Sequence, residues 1–194
     1  IQSNAIGMVG HSEGGVTTIG KIGCHPDARF TDGRIRAALL FSAPAYPFEK
    51  SLDQIGVPLM LMVGDDDEPY AHPELPRRLV YDRAQVSKYY LILKDATHYS
   101  FSIRACGKTP LYLAVESVPQ VNVICRYGLA FFQKYLKGDI SANEPLATFH
   151  PQWAYYVKEE KSGEVSEWGQ EPAGQGEPGE TRGRRGGLLR RLRR

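Results

Sequence analysis

The chain has 194 residues, 42% of them hydrophobic, and a formal charge of +2. That length sets one domain with enough apolar residues to bury a core. No run approaches 18 consecutive apolar residues, which argues against a membrane-spanning helix, and no internal repeat marks a solenoid or propeller.

The first predicted element is a strand over about residues 5–10, the apolar run Ala5-Ile6-Gly7-Met8-Val9. Gly10-His11-Ser12-Glu13-Gly14 follows and spells G-x-S-x-G. A helix is expected from there to about Ile22, then a loop over Cys24–Arg29. Ile35–Phe41 reads as a second strand. The segment Ser42–Phe48 after it is expected to overhang the strand ends. Its Tyr46 and Phe48 are either pocket walls or aromatics packed under a loop. Pro58–Val63 is a third, continuously apolar strand of the kind buried on both faces. It ends at Gly64 and runs into Asp65-Asp66-Asp67-Glu68-Pro69. Helical signal covers Glu74–Arg83, with Leu75, Leu79 and Val80 on one face. Tyr89–Leu93 is a fourth strand, followed by Lys94-Asp95-Ala96-Thr97-His98-Tyr99. A helix over Val121–Lys137 carries apolar residues at 121, 124, 125, 129, 132 and 136, and Gly138 closes it. Strands alternating with helices predict an α/β fold, with a mainly parallel sheet flanked by helices.

The chemistry-bearing residues fall at strand ends. A serine hydroxyl is a weak nucleophile unless it stands exposed beside a base. A sharp strand-to-helix turn provides that exposure, and small residues relieve the crowding. Gly10, Gly14 and Gly15 are the candidates for that relief. Acids at the carboxyl end of the third strand lie where open α/β sheets collect ligands. His98 lies just past the fourth strand. Serine, acid and histidine thus occupy three strand-end loops in the chain order of a nucleophile-elbow hydrolase. His25, His72 and His150 sit in proline-rich contexts, and no His, Cys, Asp or Glu spacing suggests a metal site. No cofactor is called for.

These segments resemble the α/β-hydrolase superfamily, in its dienelactone-hydrolase and platelet-activating-factor-acetylhydrolase-like branch. The resemblance rests on Ile6–Gly15, Val57–Asp67, Ala96–Phe101 and the segment Arg126–Asp139, and covers residues 1–150. It implies the C-terminal half of that fold. It also implies Ser12 as nucleophile, His98 as base and Asp67 as triad acid, since the family acid sits three residues after the strand-ending glycine. Asp66 is the second choice and Asp65 the third. The backbone N–H of Glu13 would bind the oxyanion. His11, Tyr46, Phe48 and Tyr99 are the candidate pocket residues. Position 12 is serine, unlike the cysteine of dienelactone hydrolases proper.

The implied activity is carboxylic-ester hydrolysis of a small molecule through an acyl-enzyme. A peptidase or thioesterase would use the same triad, because the triad does not select the leaving group. The loop that supplies the family's second oxyanion donor is not in the chain, which opens on the elbow strand after Ile1-Gln2-Ser3-Asn4. The chain therefore reads as an N-terminally truncated piece. By itself it is expected to be poorly soluble and nearly inactive, with an active full-length parent.

Residues 151–194 read as a C-terminal extension, disordered from about 161. Residues 181–194 hold seven arginines and no acid. Without those seven, the 24 basic residues fall to 17 against 22 acids, so the basic balance belongs to the tail. An arginine-rich end can bind nucleic acid or anionic lipid, and a noncatalytic anion-binding protein is the reading from a different class. A disordered or frame-shifted tail is favoured over it, so nucleic acid is not the expected partner. Three cysteines argue against a disulfide scaffold, leaving Cys106–Cys125 as one conceivable pair. They do not settle the compartment. A cytoplasmic protein is the working expectation over a secreted one.

Overall fold

The computed structural model of the chain describes residues 5–67, 78–101, 118–148, 154–159 and 165–168. Six strands form one sheet in sequence order: β1 (Ile6–His11), β2 (Ile35–Phe41), β3 (Leu59–Gly64), β4 (Lys88–Leu93), β5 (Ala154–Glu159) and β6 (Val165–Trp168). The first four run parallel, and β5 and β6 are added antiparallel. The helices are α1 (Glu13–Ile19), α2 (Leu79–Arg83), α3 (Val118–Lys137) and α4 (Asn143–Ala147). The architecture is an α/β fold with a mainly parallel sheet. No described helix is long and apolar enough to cross a membrane.

Alternate residues of the parallel strands feed two cores, because successive side chains of a strand point to opposite faces. Ala38, Leu40, Leu59, Leu61, Val63 and Tyr90 pack with Ile19 and Ile22 on one face. Ala37, Leu39, Met60, Met62, Tyr89 and Leu91 pack with Val123, Tyr127 and Phe131 of α3 on the other. Cover on both faces is why β2, β3 and β4 read as continuous apolar runs rather than alternating ones. All six residues of β3 are buried. Burying one such Leu or Met contributes about 1.5–3 kcal/mol before entropy is counted.

Helix α3 buries a different stripe from the one its apolar residues suggest. Val123, Tyr127, Ala130 and Phe131 face the sheet, whereas Val121, Cys125 and Leu129 are exposed. The expected stripe counted Val121, Cys125 and Leu129 and passed over Val123, Tyr127, Ala130 and Phe131, which rotates the helix. Gly138 has φ 67, and the Gly138 and Asp139 amides donate to the Lys134 and Gln133 carbonyls, a closing turn that satisfies helix-end acceptors. Helix α1 stops at Ile19 and continues as a π-helical turn, Gly20–Cys24. Of the helical signal over 74–83 the structure gives α2, and residues 68–77 lie outside the described residues.

The sheet runs past residue 150, where the catalytic unit was expected to end. β5 pairs with β4, Lys88 opposite Glu159 and Leu93 opposite Ala154, and β6 pairs with β5. Residues 165–168 within the extension are therefore strand, whereas 169–194, including the arginine run, lie outside the described residues. Lys88 is buried at this seam. Its Nζ lies 3.0 Å from Glu159 Oε2, donates to the Ala84 carbonyl and sits 4.8 Å from the Tyr81 ring centre. A buried ammonium needs such partners, since an uncompensated buried charge is costly, although the Glu159 carboxylate itself is 37% exposed.

Candidate active site

Ser12 follows β1 directly, and Glu13 opens α1. The serine backbone has φ 53 and ψ −121, a strained conformation for a side-chain-bearing residue. It is held there by three hydrogen bonds: the Ser12 amide donates to the Phe41 carbonyl, and the Ser12 carbonyl accepts from Gly15 and Val16. A Cβ on Gly10 would overlap the Gly14 carbonyl and the Thr18 hydroxyl, and one on Gly15 would overlap the Ala43 side chain. Gly14 differs from the expectation, because a Cβ there would meet open space. Gly10→Ala should therefore lower stability by about 1–3 kcal/mol through overpacking. Gly14→Ala should leave it unchanged or raise it by up to about 1 kcal/mol through helix propensity. Urea unfolding of the two variants checks this contrast.

Strain is concentrated at one edge of the sheet. Among the described residues, the non-glycine residues with positive φ are Ser12, Ser42 and Asp95. They follow the carboxyl ends of β1, β2 and β4. Such residues persist where surrounding structure over-determines them, and they cluster at functional sites. The Ser42 hydroxyl is also buried without a hydrogen-bond partner among the described residues.

The acid and the histidine meet at that edge. His98 Nδ1 lies 3.0 Å from Asp67 Oδ1, and Asp67 is only 5% exposed. Asp65 and Asp66 are exposed, so the third acid of the run is the one turned inward. Backbone bonds join the two loops: the Asp65 amide donates to Leu93 and the Asp66 amide to Ala96. Gln120 of α3 ties the second loop from below by donating to the Lys94 carbonyl. This approach depends on Gly64, where a Cβ would fall on the Ala96 carbonyl. Gly64→Ala is expected to destabilise by about 3 kcal/mol, the upper end for a small-to-large change with a rigid neighbour. It should also loosen the Asp67–His98 contact, read as a shift of the His98 imidazole NMR signals.

His11, immediately before Ser12, reaches across to the same place. Its Nε2 lies 2.8 Å from the His98 carbonyl oxygen, and the two rings are 4.7 Å apart at 44°. Burial pushes the His11 imidazole below its usual range, with the hydrogen bond to His98 opposing the shift. The shift favours the neutral imidazole, and because a carbonyl only accepts, His11 Nε2 carries the proton and donates it to the His98 oxygen. The Ser12 hydroxyl, half-buried, makes no hydrogen bond among the described residues. Nucleophile–base contacts are often long before substrate binds and tighten with it.

The candidate pocket residues divide. Tyr99 is 53% exposed and stands edge-on to the His98 ring at 5.6 Å. Tyr46 is 63% exposed on the loop after β2. Phe48 is not part of the site: its ring packs against Gly20 and lies 6.1 Å from His25, beyond the far end of α1 from Ser12. Two aromatics take its place near the elbow. Phe41 and Phe101 stack at 5.1 Å, and Phe101 lies 6.3 Å from the His11 ring. Phe41 ends β2 opposite His11, and strand-end position is the signal that could have marked it. Cys24 is buried, its thiol donates to the Ser51 carbonyl, and burial pushes it up to about 11, so it is no nucleophile at neutral pH. Cys125 is a free thiol, and Cys106 lies outside the described residues.

The chain matches no protein-family model and no curated protein. What stands on the geometry is an α/β fold with a strained Ser12, an Asp67–His98 contact and a group of aromatic rings at the carboxyl ends of its parallel strands.

Proposed function

We propose that the chain is catalytic and hydrolyses carboxylic esters through Ser12. One observation carries the reading: the buried Asp67 carboxylate lies 3.0 Å from His98 Nδ1, at the sheet edge where β1 ends in the strained Ser12. A carboxylate on Nδ1 keeps a proton there and leaves Nε2 as the basic nitrogen. Nε2 is then the atom that accepts the Ser12 proton as the hydroxyl attacks the ester carbonyl. It later returns the proton to the departing alcohol, while Asp67 stabilises the imidazolium between the two steps. The Glu13 amide opens α1, where helix N–H groups have no partner within the helix, and it is the donor for the oxyanion. A single donor of this kind contributes about 2.7–4 kcal/mol to the transition state.

The substrate class rests on the resemblance to the dienelactone-hydrolase and platelet-activating-factor-acetylhydrolase-like branch. It is supported by the aromatic rings beside His11 and His98, those of Phe41, Phe101 and Tyr99, which suit an apolar acyl or alcohol group. The test is labelling by a fluorophosphonate, combined with turnover of p-nitrophenyl acetate and butyrate, on the protein in its full natural length. Labelling that maps to Ser12 and disappears in Ser12→Ala supports the reading. A folded protein that neither labels nor turns over either ester overturns it.

A further inference from the structure

We infer that His11 is a positioning residue, holding the His98 loop to the elbow through the His98 main chain. Its kinetic consequence rests on the ester-hydrolase reading; the contact itself does not. Three further ties of the His98 loop run to other places. Asp66 reaches Ala96 from the loop after β3, Gln120 reaches Lys94 from α3, and Ser100 closes on Thr97 within the loop. These bonds fix the loop to the acid and to the helix beneath it, and the Asp67 contact fixes the rotation of the His98 ring. None of these bonds reaches the elbow, and the Phe41–Phe101 stack ties the loop to the end of β2, the strand beside it.

The His11 bond reaches the elbow directly. It joins two residues 87 apart in sequence, one at the end of a paired strand and next to Ser12, the other the base itself. A carbonyl oxygen only accepts, so the bond requires a proton on His11 Nε2. The tilted ring contact at 4.7 Å adds a second restraint, and Phe101 backs the His11 ring. A neutral His11 adds no charge beside the imidazolium that forms on His98, which is why an imidazole rather than lysine suits the position. Productive geometry at such a site tolerates displacements of only about 0.5 Å.

The experiment compares His11→Leu with His11→Gln in the full chain. Leucine keeps bulk and removes the donor, whereas the glutamine amide nitrogen comes to about the place of Nε2. In His11→Leu, kcat for p-nitrophenyl esters should fall roughly 10- to 100-fold, the range for a small misplacement of a catalytic group, with KM little changed. His11→Gln should recover most of that loss. Hydrogen exchange at the Thr97 and Ser100 amides should quicken in His11→Leu, not in His11→Gln, with β3 amides unchanged in both. The 15N shifts of the wild-type His11 ring should report the Nε2–H tautomer. Unchanged exchange at Thr97 and Ser100 in His11→Leu overturns the inference, as does equal loss of kcat in both variants. A wild-type protein that turns over no ester sinks the ester reading alone, and the exchange and tautomer data then decide the His11 contact.

Discussion

Ser12→Ala is expected to lower kcat for p-nitrophenyl butyrate by about a millionfold, the order found when the nucleophile of a triad is removed. The size follows from the mechanism: without Oγ there is no acyl-enzyme, and only oxyanion stabilisation and binding remain to favour attack by water. The variant should keep its fold. Alanine and serine suffer the same steric penalty at φ 53, because both carry a Cβ and the serine side chain caps no helix bond. Thermal unfolding within a degree or two of wild type establishes that the loss is chemical. Residual turnover above about one per cent would move the nucleophile off Ser12. The buried, strained Ser42 at the end of the neighbouring strand would then be the next hydroxyl to replace.

Asp67→Asn should cost about 10⁴-fold in kcat, whereas Asp66→Asn and Asp65→Asn should change it by less than about threefold. An asparagine at 67 can turn its amide donor toward His98 Nδ1. The ring is then held in the tautomer whose Nε2 carries a hydrogen and cannot take the serine proton. The contact seen at 3.0 Å would persist while the chemistry stopped, so the loss should appear without unfolding. The side chains at 65 and 66 are exposed, and removing a solvated charge changes little. Loss of activity in Asp66→Asn equal to that in Asp67→Asn would mean the inward carboxylate has been misassigned. Kinetics on the three variants, each with a circular-dichroism control, decides the matter.

The parallel strands were legible because burial on both faces writes them as unbroken apolar runs, and Pro58–Val63 predicted β3 to within a residue. The elbow was legible because its crowding requires small residues at fixed spacing, although Gly14 turned out to meet no neighbour. Asp67 was favoured over its neighbours only through the family resemblance, which puts the acid three residues beyond the strand-ending glycine; the structure turns that carboxylate inward and leaves Asp65 and Asp66 exposed. Non-local features were not legible. β5 exists by pairing with the far edge of β4, and β6 by pairing with β5, and nothing in Ala154–Glu159 announces which edge is open. The strand-forming Tyr155, Tyr156 and Val157 were the available hint. The buried stripe of α3 escaped because Tyr127 and Ala130 face the sheet while Leu129 does not. Phe41, Phe101 and Phe48 show the same limit: an aromatic ring can be assigned to a wall or to a core only when its distant neighbour is known.

The seam between β4 and β5 also has a consequence for how the chain assembles. Ile6 meets Ile35, Ala38 meets Leu59, and Leu59 meets Lys88, so each parallel ladder closes a loop of about twenty to thirty residues. Lys88 meets Glu159 only after about seventy, with α3 and α4 between. Each doubling of loop length adds about 0.6 kcal/mol of closure entropy, which orders β5 behind the parallel ladders. Until it docks, the Lys88 ammonium has no carboxylate and keeps its water. The arrival of β5 therefore brings its own counter-charge to a waiting cation. Salt that screens the two should slow this step.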